Sequence, residues 1–159
     1  MKLQRQRTEK HKSFPTKYSR GVRRVSSDAQ KWVQTAANFA RVGELSVRIG
    51  ILVAVVYGIF WAIKLFFEYI HGLQFLSRPF VEYMAFSAVS FAVAALTSYA
   101  NERYSEKGNF RMAGLTALVA ASVLLIPATV AGVLLLLGGL ALYISAEIVN
   151  VAKIEFKKA

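Results

Sequence analysis

Two apolar runs, Ile49 to Phe67 (IGILVAVVYGIFWAIKLFF) and Phe80 to Ala100 (FVEYMAFSAVSFAVAALTSYA), constrain this chain more than any other feature. A helix that crosses a bilayer needs about 20 mostly apolar residues, because a rise of about 1.5 Å per residue must cover roughly 30 Å of hydrocarbon. Both runs meet that length. A third apolar stretch, Met112 to Val149, is too long for one crossing at ordinary tilt and contains Pro127, followed by Gly132. Proline removes a backbone donor and clashes with the preceding helical turn, so the stretch is expected to split into 112–126 and 133–149 around the turn PATVAG.

Charge placement supports four crossings. From Met1 to Arg48 there are twelve Lys or Arg against three acids, so most of the formal net charge of +11 sits in this segment. With four spans, the arm, the loop carrying Arg103, Lys107 and Arg111, and the tail carrying Lys153, Lys157 and Lys158 share one side. Only Arg78 falls in an exterior loop, and Lys64 lies within the first span. Cations concentrated on the interior side are what the positive-inside rule expects, whereas an unbroken third helix would export the lysine tail. Both termini are therefore expected on the cytoplasmic or interior side. The first apolar run begins only after a long polar segment, which reads as an uncleaved signal anchor rather than a cleaved leader.

Aromatic residues fit this placement. Phe66, Phe67, Tyr69, Phe75, Phe80 and Tyr83 gather at the exterior ends of spans one and two, and Tyr99, Tyr104 and Phe110 flank the interior loop. Span three is short, so a re-entrant hairpin made of the last two segments is the alternative to two full crossings. Its turn would then need protein or water to satisfy its backbone. Small residues recur at helical spacing: Ala85, Ala88, Ala92 and Ala95; Gly114, Ala117 and Ala121; Gly138, Ala141 and Ser145. These predict one contact face per helix, and the alanine row of span two is the face most suited to a second copy or another subunit.

Ahead of the spans, residues 1–25 combine dense charge with few large apolar groups and are expected to be disordered on their own. Lys2, Arg5, Arg7, Lys10, Lys12, Lys17, Arg20, Arg23 and Arg24 form a polyanion-binding set. Three readings fit it: anionic lipid, nucleic acid with Phe14, Tyr18 and His11 available for stacking, or an acidic protein partner. Residues 26–47 then show helical periodicity, with Ser27 and Gln30 as a capping box. Lys31, Gln34, Asn38 and Arg41 recur on one face, and Trp32, Val33, Ala36, Phe39 and Ala40 fall largely on the other. This predicts an interfacial amphipathic helix anchored by Lys31, Trp32, Phe39 and Arg41, with Gly43 permitting a bend into span one.

The fold expected is all-α and polytopic: a basic arm (1–25), an interfacial helix (26–47) and a four-helix transmembrane bundle (48–159), with spans near 49–67, 80–100, 112–126 and 133–149. Zero cysteines exclude a disulfide framework and thiolate chemistry. No glycine-rich phosphate loop, HExxH helix or nucleophile elbow is present, and His11 and His71 lie far apart in sequence, so no enzyme activity, cofactor or metal is expected. Lys64, Glu68, Arg78 and Glu82 form a candidate charge cluster at the exterior boundary. It either locks spans one and two together by snorkelling or receives an ion or proton. The function expected is structural: a component of a membrane shell or virion membrane whose interior arm binds packaged nucleic acid or anionic lipid. The alternative is a small accessory subunit of a membrane transport or respiratory complex.

Overall fold

The computed structural model describes residues 27–72, 75 and 77–158, with side-chain surroundings between 31 and 151. Among these residues the chain is all-helical: α1 (Ser27–Ile70), α2 (Arg78–Glu106), α3 (Phe110–Leu124) and α4 (Thr129–Lys158). Local chemistry sets each break. Past Ile70, Gly72 adopts φ +96, which an L side chain rarely tolerates, and its N–H bonds to the Tyr69 carbonyl at 3.2 Å. Proline at the first turn opens α2 behind the extended Ser77. Gly108 at φ +64 closes α2, and the Asn109 side chain caps α3 by accepting from the Met112 N–H at 3.3 Å.

By length and composition α1, α2 and the 129–151 part of α4 can each cross a membrane, whereas α3 has only 15 residues. The turn between α3 and α4 is tighter than expected: α3 stops at Leu124 and α4 starts at Thr129, so the break centres on Pro127 itself. Pro127 and Ala128 are buried while Ile126 is 80% exposed, so one side of this turn leans on the protein.

Neighbouring helices run antiparallel. α4 packs most extensively, against both α1 and α3, while α2 closes against α1 and α3, and α1 barely meets α3. Ser145 of α4 lies against Ala36 of α1, and Pro127 lies against Trp61, so the start of α1 and the end of α4 share one end of the molecule.

The closest packing is backbone on backbone. A Cβ placed on Gly138 would come within 2.8 Å of the Gly43 carbonyl oxygen, and one on Gly139 within 2.9 Å of the Gly114 carbonyl oxygen. Adjacent residues on a helix point about 100° apart, so this glycine pair lets α4 approach α1 on one side and α3 on the other. A buried row of Ala117, Ala121, Leu124, Ala131, Leu135 and Leu142 continues the contact.

Two expectations change here. Gly43 is not a bend: α1 runs unbroken through it for 44 residues, about 66 Å, because the glycine is used for contact with Gly138 rather than for backbone freedom. In α2 the inward face is Phe80, Ser87, Ser90, Ala94, Thr97 and Asn101, whereas Ala85, Ala88, Ala92 and Ala95 are exposed. The rows anticipated on α3 and α4 are used inward: Gly114, Ala117, Ala121, Gly138 and Ser145 are buried and Ala141 is half-buried.

Replacing Gly138 with leucine forces α1 and α4 apart and is expected to cost roughly 3 kcal/mol, since the Gly43 carbonyl and the Val47 N that obstruct it are backbone atoms. Thermal unfolding in detergent should show a clear loss for Gly138→Leu and almost none for Leu140→Val, whose side chain is exposed.

Candidate functional site

Two regions concentrate polar and charged groups within this apolar framework. The first is the α1–α2 contact beyond the α3–α4 turn. Trp61 stacks on Tyr83 at 5.6 Å between ring centroids, with planes 20° apart, and packs on Phe86 at 5.2 Å. Its indole N–H donates to the Pro127 carbonyl at 2.8 Å. That carbonyl belongs to the turn, where no continuing helix supplies a partner, so the indole supplies one. Because α1 continues nine residues past Trp61, about 13 Å, the turn stops well short of the end of α1.

Lys64 sits one turn on from Trp61. Its Nζ lies 4.6 Å from the Tyr83 ring centroid and 5.4 Å from that of Trp61, a cation held over two aromatic faces. Such contacts are worth about 0.5–1 kcal/mol when exposed and roughly 2 kcal/mol when desolvated. Among the four residues anticipated as one cluster, the only ion pair within 4.0 Å is Arg78 with Glu82. Arg78 pairs with Glu82 at 2.9 Å within α2, Lys64 engages rings, and Lys64 and Glu68 form no ion pair within 4.0 Å. Glu68 is exposed, and His71 Nδ1 lies 2.7 Å from the Phe67 carbonyl of its own helix.

The second region is the opposite end of the molecule. Arg103 donates to the Tyr99 hydroxyl at 2.7 Å, and Arg111 approaches Glu147 of α4 at 3.6 Å and lies over the Tyr143 ring. Nearer the middle of α1, Arg48 pairs with Glu44 at 2.7 Å. Lys31, Trp32, Phe39 and Arg41 of the expected interfacial segment are all exposed, while Ala36, Gly43 and Val47 of the same stretch face α4. The nine arm residues, Lys2, Arg5, Arg7, Lys10, Lys12, Lys17, Arg20, Arg23 and Arg24, lie outside the described residues.

Inside the protein, α2 presents polar groups to its neighbours. The Ser87 hydroxyl donates to the Gly58 carbonyl at 2.9 Å, and from α4 the Ser145 hydroxyl donates to the Ala36 carbonyl at 2.8 Å. Ser90 Oγ and Asn101 Oδ1 are buried without a hydrogen-bond partner. Of these groups, sequence spacing marked only Ser145, within the small-residue row of α4; Ser87, Ser90 and Asn101 are distinguished only by burial. Among the described residues no three His, Cys, Asp or Glu side chains converge to hold a metal. Comparison with protein-family models, curated proteins and solved structures finds no match to the chain.

Trp61→Phe keeps most of the ring packing and deletes the N–H that reaches Pro127. Its expected cost is about 1 kcal/mol, read as faster amide exchange in the segment 125–131 and a lower unfolding temperature. Unchanged exchange in that turn would remove the bond's structural role.

Proposed function

We propose that this chain is a non-enzymatic structural protein of a membrane, a shell or virion membrane component, whose basic segment binds polyanions on the interior side. The observation that carries the reading is the separation of its two physical halves. Exposed Leu, Val, Ile and Phe side chains cover the middle of every long helix, as a lipid-facing surface requires. The α2–α3 turn, the start of α1 and the end of α4 lie at one end of the described structure, and the sequence sets Arg103, Lys107 and Arg111, the basic arm and the C-terminal lysines on or next to those segments. Placed in a bilayer, the four helices form an antiparallel bundle with both termini on the interior side, matching the positive-inside rule. The amphipathic start of α1, with Trp32 and Arg41 outward, then lies near the headgroups of that side.

Within this topology, a second placement of α3 and α4 has its own support. The Trp61 bond to Pro127 satisfies the backbone of a turn that stops short of the end of α1, which is the condition a hairpin ending inside the hydrocarbon must meet. The absence of native cysteine allows a direct test with single cysteines and a membrane-impermeant maleimide in sealed vesicles. His71→Cys is expected to react from the exterior. Ile126→Cys reacts as well if the hairpin crosses fully and is protected if the tip is immersed.

The exposed alanine row of α2 favours a rival role as a small accessory subunit of a larger transport or respiratory complex, because small residues allow a foreign helix to approach closely. Mild-detergent purification from the native membrane separates the two. Stoichiometric larger chains support the accessory subunit; self-association or bound nucleic acid supports the structural role.

For the arm, deleting residues 1–25 is expected to leave membrane insertion intact and abolish nucleic-acid binding. Binding by the intact chain should weaken with salt at a log-log slope of about 0.9 per duplex phosphate contacted. Equal binding by intact and truncated proteins would reject the arm's role.

A further inference from the structure

Of the four neighbouring helix pairs, α2 and α3 pack least extensively, and an outward-facing groove of about 720 Å³ runs between them. That volume lies within the range of about 300–1,000 Å³ typical of small-molecule sites. Its walls are apolar along most of their length, from Val93 and Leu96 on α2 to Leu115, Val119 and Val123 on α3. The Thr116 hydroxyl on this wall already donates to the Ala113 carbonyl of its own helix at 2.9 Å. At one end the character changes, where Arg103 and Lys107 close the groove. Arg103 is steadied there by its bond to the Tyr99 hydroxyl. Neither nearby acid, Glu102 or Glu106, lines the groove.

Length and charge together select an occupant. Val93 to Arg103 spans ten residues, about 15 Å at helical rise, which is the depth of one leaflet's hydrocarbon. A ligand that fits has an apolar tail about one leaflet long and a negative head at the cationic end. A transmembrane helix fits less well, because close helix approach needs small residues. Bulky leucine and valine outnumber the small Ala100 and Ala120 on the apolar part of these walls, and the exposed alanine row of α2 is not part of the groove.

We infer that the α2–α3 groove binds an anionic phospholipid of the interior leaflet, its phosphate between Arg103 and Lys107 and one acyl chain lying along Val93 and Val119. This rests on the membrane placement given above and is independent of what the arm binds. Bound there, the lipid covers apolar surface that α2 and α3 leave open and ties them together at the interior face.

The test uses the full chain reconstituted in vesicles of phosphatidylcholine and phosphatidylglycerol, extracted into mild detergent and examined by native mass spectrometry. The expected result is a retained phosphatidylglycerol adduct. Arg103→Gln with Lys107→Gln should reduce its occupancy roughly 30-fold, and Lys107→Gln alone, at an exposed position, about fivefold. Ala100→Phe, which obstructs the groove and keeps both cations, should also remove the adduct, whereas Lys10→Gln with Lys12→Gln in the arm should leave it. Retention unaffected by the charge variants, or phosphatidylcholine kept as readily as phosphatidylglycerol, overturns the site. A dimer abolished by Ala100→Phe overturns it in favour of a second copy. Alkaline carbonate extraction of the same vesicles keeps the two questions apart: a chain released by carbonate overturns the membrane placement, while one that stays embedded but holds no lipid overturns only the groove.

Discussion

Backbone meets backbone along α4, where a side chain larger than hydrogen would leave no room. Gly138 and Gly139 lie side by side in sequence and about 100° apart around the helix, so one admits α1 and the other admits α3. In lipid no hydrophobic force pulls apolar helices together, because the tails they leave are as apolar as the side chains they meet. Association must come from van der Waals contact at short range, and only glycine allows carbonyl oxygens of facing helices to come this near. That explains why helix-weakening residues sit at the centre of a long helix: their propensity cost, about 1 kcal/mol each, is offset by contact on two sides.

Around that axis, a few polar groups fix register. Ser145 reaches the carbonyl of Ala36, Ser87 that of Gly58, and Trp61 that of Pro127, each linking one helix to the backbone of another helix or of the α3–α4 turn. One bond lies near the start of α1 and two lie within a turn of each other at Gly58 and Trp61, so together they resist sliding of α1 against its neighbours. Trp61 does more than the others, because it also stacks on Tyr83 and carries Lys64 over its ring. One side chain thereby joins α1, α2 and the α3–α4 turn, and a lysine within an apolar helix finds aromatic faces in place of water.

Much of the helical pattern was legible in the residues. The long apolar runs, the break at Pro127, the polar loop carrying Arg103, Lys107 and Arg111 and the inward rows of α3 and α4 follow from local rules about length, proline, charge and small residues. Helix faces were less legible where a helix is apolar all round. On α2 the alanines at 85, 88, 92 and 95 form the more obvious small-residue row, yet the helix turns Ser87, Ser90, Ala94 and Thr97 inward. Small size permits close packing without requiring it, and an exposed helix surface accepts alanine at little cost. Gly43 misled for a related reason: a glycine permits a bend and a close contact equally, and only the partner at Gly138 distinguishes them. Lys64 and Glu68, spaced for an ion pair, are another case, since the rings that engage Lys64 come partly from another helix.

Local sequence by itself determined that this chain is helical, where most of its helices end, and that its charge is gathered apart from its apolar surface. These properties depend on residues within one turn of each other, or on sums over a segment, and need no knowledge of neighbours. Tertiary structure decided which face of each helix is covered, that Trp61 completes the α3–α4 turn, and that a groove with a cationic end opens between α2 and α3. Those outcomes depend on the relative height and rotation of helices distant in sequence, which are set by where backbones can approach most closely, a property of pairs of helices that neither sequence carries alone.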